Sequence, residues 1–314
     1  MNKILKKTLK ISGITIASVI GVILIAVLLA CWTILSPARL TKTANKVIDD
    51  YLPCNADIER ANLTLVKTYP FLAFQLNGLV VFDDMEESAS DTLLYCKHFS
   101  TVVDIKSLLK ENKIIVEHII AESLDANLFI SETGATNLDI FIPAETAEVV
   151  TEPETTSGFE LYVDLQEISL KDINATYIDN QSNIDAAINN LGIDINGLMD
   201  GSDINASIKA AAKNIVAQIA DSTNLEASLD GIKFDGKVQM GSRDITFAGN
   251  MNASLINAAM DDITASLKNT GLDIINAVYQ PETGRINTAV NLNGETVDFS
   301  ADGITASLGA FLMN

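Results

Sequence analysis

Residues that carry chemistry are scarce in this chain. Three cysteines and two histidines occur in 314 residues. Two cysteines, Cys54 and Cys96, lie beyond residue 40. They are too few for a disulfide framework, and we read them as unpaired. His98 and His118 sit in strand-like segments with no third ligand at metal spacing, which makes both structural. Asp83-Asp84 with Glu86-Glu87 lacks the spacing of a calcium loop. No Gly-x-Ser-x-Gly elbow, His-Glu-x-x-His helix or Walker loop occurs, so we expect neither an enzyme nor a cofactor. Basic residues are scarce too. Five of the 21 precede residue 40, where no acidic residue occurs, so the rest of the chain carries 16 against 41, a net charge of −25. Phosphate binding needs a basic stripe, which argues against nucleic acid as a partner. Aromatic residues are only 6% of the chain, too few for a bulky core to be evident.

What is present begins with an apolar run. Residues 11–35 contain no charge and follow Lys3, Lys6, Lys7 and Lys10. About 20 apolar residues span a bilayer as a helix. We therefore expect a membrane anchor carrying Ile14, Ile20, Ile25, Leu28 and Trp32, with residues 1–36 forming the cytoplasmic tip and the span. The flanking lysines favour a cytoplasmic N-terminus and an exported body. A cleaved signal peptide would have a shorter core and a small-residue cleavage site. Leu28-Leu29-Ala30-Cys31 is like a lipoprotein box, but Leu29 fits it poorly and the sequence stays apolar beyond Cys31.

Ser36-Pro37 is a helix start, and Leu40, Ala44, Val47, Ile48 and Tyr51 recur at helical spacing as far as Pro53. From Ala56 the period changes to two. Leu63 and Leu65, Phe74 and Leu76, and the segments 93–104, 113–121 and 125–130 read as strands. Asn77-Gly78 is a turn or bulge signal, and Lys106–Lys110 is at most one helical turn. Pro143–Gly158, rich in Thr, Glu and Pro, reads as a disordered loop inserted between sheet segments.

The basic tip and single expected anchor are followed by Leu35-Ser36-Pro37-x-Arg39-Leu40 at the helix start and by a Tyr69-Pro70 step between two strands. A turn at Leu108–Ile114 and a Gly-x-x-Asn-Leu-Asp ending at Gly134–Asp139 come after them. On these features residues 1–141 resemble the AsmA-like family of Gram-negative envelope proteins. The later chain follows the family only in style. The resemblance implies an inner-membrane, single-pass protein with a periplasmic body, grouped with bridge-like lipid-transfer proteins. These residues are architectural, so they carry over no catalytic role.

Residues 37–142 then form a helix and β-region, and residues 159–314 a repetitive β-array. In the array, apolar and polar residues alternate, and "ITASL" recurs at Ile263 and Ile304. Asn196-Gly197, Asp200-Gly201, Asp230-Gly231, Asp235-Gly236, Asn293-Gly294 and Asp302-Gly303 read as hairpin turns. Ala206–Ala220 also fits a helix, and we read it as strand. The fold expected is mainly β: a transmembrane helix, a short amphipathic helix and a long antiparallel, curled sheet. Its apolar face either packs as a sandwich or opens as a trough, and the resemblance favours the trough. By periodicity the groove candidates are Ile193, Ile195, Ile204, Ala206, Ile208, Leu225, Leu229, Ile263, Leu267, Ile286, Val290, Leu292, Ile304 and Leu308. The ligand expected is phospholipid, moved between inner and outer membrane. The alternative is a non-catalytic scaffold that assists assembly of outer-membrane proteins. Strand-like sequence runs to the end without a cap, which leads us to expect a continuation or a partner.

Overall fold

The computed structural model describes residues 36–51, 54–64, 71–104, 113–141, 160–200, 203–220, 224–241 and 244–313. The expected anchor, the Tyr69-Pro70 step, the turn at 106–110 and the Pro143–Gly158 loop lie outside them. Among the described residues no helix is long and apolar enough to cross a membrane.

Helix α1 runs Pro37–Tyr51. Its first turn is closed by Arg39 and Leu40, whose amides both donate to the Ser36 carbonyl at 3.0 Å. Fourteen strands follow in one sheet. They are β1 Ala56–Thr64, β2 Phe71–Phe82, β3 Thr92–Asp104, β4 Lys113–Ile130, β5 Glu160–Asp179, β6 Ile184–Asp200 and β7 Asp203–Ala220. Then come β8 Asn224–Met240, β9 Ile245–Met260, β10 Ile263–Gln280, β11 Arg285–Gly294, β12 Thr296–Ala301, β13 Ile304–Leu308 and β14 Phe311–Met313. Sequence neighbours pair throughout from β1 to β11.

One junction departs from the all-antiparallel expectation. β4 and β5 pair in parallel, from Lys113↔Glu160 to Ile130↔Asp179. The sheet is therefore mixed. A parallel pair needs a return crossover, and the ladder fixes its span at 17 steps, roughly 56 Å at 3.3 Å per residue. The two strands are joined by the chain between Ile130 and Glu160, of which the structure describes residues 131–141.

The strands are also longer than their turn signals suggested. Asn196-Gly197 lies inside β6, and Asp230-Gly231 and Asp235-Gly236 inside β8. Asn293-Gly294 ends β11, while Asp302-Gly303 does form the β12–β13 turn. Asp230-Gly231 belongs to a crease that runs across the sheet, while Asn196-Gly197 and Asp235-Gly236 continue their strands away from it. Along the strands from β1 to β10 the inward-facing pattern steps by three instead of two at matching places: Ile58 to Ala61, Leu76 to Leu79, Ala121 to Leu124, Leu229 to Ile232, Leu267 to Thr270. At the step Gly78, Ser123, Asp172, Asn190, Gly231 and Asn269 adopt φ between 47° and 62°. A left-handed residue acts as a bulge that resets the alternation, so side chains three apart return to one face. Ile58 and Ala61 are both buried, with Glu59 and Arg60 between them exposed. An Asx-Gly pair supplies this conformation as readily inside a strand as in a hairpin.

Neighbouring strands step together. Asp230↔Leu255 and Lys233↔Asn252 keep one offset across the crease. Between β5 and β6 the crease shifts by one row through compensating irregularities. The same offset carries β11 into β12 along β10, as Gly271↔Asn293 and Lys268↔Thr296. β13 and β14 likewise continue one another beside them, as Val297↔Leu308 and Leu292↔Met313. The fourteen ladder segments thus behave as twelve long strands that share the crease, with a further bulge in β5 and in β10. Eleven strand intervals of about 4.8 Å make the sheet roughly 53 Å wide.

The tightest packing sits at the β1 end. Ala56, Val81 and Leu93 are buried together, packed by Ile48 of α1, Cys54, Leu128 and Ile140. Helix α1 also closes the edge of β1. Thr41 Oγ1 accepts the Ala61 amide at 2.8 Å, and Asn45 accepts the Ile58 amide and donates to the Ile58 carbonyl. An edge strand otherwise presents these groups to any passing chain.

Candidate functional site

Register places the fourteen groove candidates on one face. Ile193 and Leu292 belong to a row that crosses all twelve strands: Ala61, Leu76, Phe99, Ala121, Leu170, Ile193, Ala210, Phe234, Met251, Leu272, Leu292 and Met313. Ile195, Ile208 and Val290 belong to the next row, which Ile119, Ile168 and Ile274 extend. That row contains Gly236 opposite Gly249. The gap is covered by Phe234 and Phe247, whose rings stack with centroids 5.8 Å apart. A Cβ on Gly236 would meet the Phe234 ring at 2.7 Å. Ala206 pairs with Val238, Ile204 with Met240, and Ile286 with Tyr279.

Beyond the crease Leu225 and Ile263 share a row with Ile219, Met260 and Ile304. Leu229, Leu267 and Leu308 share another with Ile215, Ile256 and Val297. Between these two rows runs a line of small residues, Ala186, Ala217, Ala227, Ala258 and Ala265, then Phe299 and Ala306. Large apolar side chains remain in solvent here, with Ile304 73% exposed and Leu308 60%, and Ile286 is 68% exposed on the other side of the crease.

A groove of about 1170 Å³ lies across β5 to β10, β12 and β13, and none of the fourteen candidates lines it. Thr176 and Ile178 line it but Tyr177 between them does not. Nor do the Ile and Leu rows that flank the alanine line. Side chains alternate faces along a strand, so the groove opens on the opposite, hydroxyl-bearing face, with the alanine backbone as its floor. Its two walls are residues two apart on each strand: Ser228 with Glu226, Ser266 with Thr264, Asp298 with Ser300, Ser307 with Thr305. Sequence reasoning missed these positions because it followed only the apolar half of the alternation. The polar half held the signal, a run of Ser, Thr, Asn and Gln at matching register.

Asp298 accepts a hydrogen bond from the Ser307 hydroxyl at 2.6 Å and lies 3.6 Å from Lys268 Nζ. The hydroxyl first, then the ammonium, holds its carboxyl below the ordinary value. Gln218 Nε2 donates to Glu226 at 3.2 Å. Elsewhere the polar groups have structural partners. His98 bonds Asn77 at 2.7 Å, and His118 bonds Glu167 at 3.0 Å. Cys54 and Cys96 are free thiols, and burial pushes both up from the usual thiol value. Among the described residues no three metal-ligating side chains cluster.

The arrangement defines a class: a long, open, mixed β-sheet with one continuous apolar face and one hydroxyl- and amide-bearing face. Comparison of the chain with protein-family models, curated proteins and solved structures finds no match.

Proposed function

We propose that the chain is a membrane-anchored periplasmic protein that binds lipid along its apolar face, used as a trough. In this reading it supports phospholipid movement between the inner and outer membranes. The observation that carries the reading is the unbroken apolar row from Ala61 to Met313, about 53 Å long, ending among exposed Ile and Leu side chains. Each acyl methylene kept out of water is worth about 0.8 kcal/mol. A lipid tail lying along such rows avoids a desolvation cost on the order of 10 kcal/mol. The uncharged apolar run at 11–35 with its flanking lysines, and the family resemblance of residues 1–141, support this location. No catalytic group is required.

The test is mass spectrometry of lipids that co-purify with the protein expressed with its anchor and extracted in detergent. Near-stoichiometric phospholipid is expected, and Ile195→Asp with Ile208→Asp should deplete it. Lipid at unchanged stoichiometry in that variant would sink the reading. The uncovered β13 edge favours a second reading, a scaffold that pairs with outer-membrane proteins. Lipid-free protein recovered in complex with them would select it.

A further inference from the structure

The last hairpin repeats a sequence that the sheet has already used. Ile263–Leu267 and Ile304–Leu308 are the same five residues, Ile-Thr-Ala-Ser-Leu. They flank β12 on its two sides in identical register. Ala301 meets Ile263 and Ile304, Phe299 meets Ala265 and Ala306, and Val297 meets Leu267 and Leu308. In β10 this pentapeptide is an interior strand, paired on its other side with β9 from Ile263↔Met260 to Leu267↔Ile256. In β13 the second flank has no strand among the described residues. That flank is the one that β10 turns toward β12, so in β10 the same five residues already hold a strand there. All five residues of β13 are exposed. None is charged and none is proline, the usual protections of an edge that stays single.

Strand chemistry identifies the occupant. Asp302 and Gly303 have φ of +49° and +79°, as a two-residue type I′ hairpin turn requires. Such a turn makes Ala301 and Ile304 a hydrogen-bonded pair. The alternation of the ladder then turns the backbone N–H and C=O of Thr305 and Ser307 outward. By side-chain class the pentapeptide reads the same in both directions: branched apolar, hydroxyl, alanine, hydroxyl, branched apolar. A two-fold axis through Ala306, normal to the sheet, sets Thr305 against Ser307 of a second copy and Ile304 against its Leu308. Four backbone hydrogen bonds then use every outward group of both strands. Ile304 and Leu308 stay on the apolar face, and the line Ala265, Phe299, Ala306 runs on into its symmetry mate.

We propose that the occupant of the β13 edge is a second copy of this chain, joined by antiparallel pairing of the two β13 strands about Ala306. The interface is isologous, with the same patch used twice. It leaves the two helix-closed β1 edges at the far ends of one joined sheet. The uncharged pentapeptide sets no carboxylate opposite another along the seam. A five-residue ladder is a small interface, so a Kd on the order of micromolar is expected.

Sedimentation velocity of the full chain in detergent tests this, with cross-linking to fix the register. A concentration-dependent dimer is expected. Thr305→Pro removes an outward N–H that β12 does not use, so the hairpin stays folded. Association should weaken by about thirtyfold through the lost hydrogen bonds. Ala306→Cys meets its own symmetry mate within disulfide range and should give a covalent dimer on mild oxidation. Thr305→Cys lies two residues out of register with its mate, beyond that range. It should stay at the background set by the parent chain's own three cysteines. A parent chain still monomeric at about a hundred times the expected Kd overturns the proposal. So does a dimer indifferent to Thr305→Pro, or equal cross-linking of Thr305→Cys and Ala306→Cys. Mass and cross-links are read independently of lipid, so failure here leaves the lipid reading standing.

Discussion

The two ends of the sheet are built on different terms. Nine of the thirteen buried apolar residues among the described positions lie at or before Phe129. Twelve of the fourteen exposed large ones lie at or after Leu225. At the β1 end a helix closes the edge and a small core fixes its position. At the β13 end the ladder stops in solvent with its side chains uncovered. The alternating pattern is the same at both ends, so pattern alone does not decide burial. A covering element does, and among the described residues only the first end has one. In the proposed reading, the end held in place fixes the sheet relative to an anchor, while the uncovered end keeps apolar surface available to a ligand or a partner.

The largest asymmetry should appear at Asn137. The Gly134–Asp139 ending, which resembled a family motif, folds into a turn and a 3-10 helix that bring Asn137 to complete burial. Its Oδ1 accepts the Phe129 amide at 3.0 Å, and its Nδ2 donates to Asp83 at 2.7 Å and to the Asn127 carbonyl at 2.8 Å. Asn137→Leu strands all three partners and should cost about 3 kcal/mol, read as a fall in the denaturant midpoint. Ser307→Ala at the open end removes one exposed hydroxyl from Asp298 and should cost less than about 0.5 kcal/mol. Equal costs would abolish the contrast between the ends.

The crease can be tested the same way. Gly231 combines φ of +61° with a neighbour overhead, since an added Cβ would lie 2.4 Å from Ser254 Oγ. Gly284 has φ of +64° and open space. Gly231→Ala should cost about 2 kcal/mol and Gly284→Ala about 1 kcal/mol, the difference being the displaced serine. Thermal unfolding of both variants reads it, and equal shifts would mean that the crease is not a packed feature.

Edge closure comes next in size. Thr41→Val keeps the helix and removes the acceptor for the Ala61 amide, which is fully buried. The expected cost is about 1–2 kcal/mol. Faster deuterium exchange at Ala61 should accompany it, and exchange as slow as in the parent would show that α1 does not close this edge.

Much of this was legible in the sequence. The helix start at Ser36-Pro37, the period of two, and strand rather than helix for Ala206–Ala220 all follow from local chemistry. The single parallel junction was not legible, because alternation is the same in either strand direction. Asp230-Gly231 misled for a related reason, as left-handed residues serve turns and bulges alike. The step of three in the apolar spacing was the available sign, readable at Ile58 to Ala61 and again at Leu229 to Ile232. The hydroxyl groove was hidden more deeply. It needs Ser228, Asn257, Ser266, Asp298 and Ser307 side by side, and residues that far apart in the chain are aligned only by register.

The smallest expected effect falls at the open edge and probes its meaning most directly. Ile304 and Leu308 are 73% and 60% exposed, so their burial contributes little to folding. Ile304→Lys with Leu308→Lys should change stability by less than about 0.5 kcal/mol. Lysine on an edge strand discourages pairing with another chain. If the edge receives a partner strand, the double variant should stay folded and lose self-association or partner capture in sedimentation velocity. A loss of stability well beyond that figure would mean that something in the chain already covers β13, and the two ends would then differ in kind of cover rather than in its presence.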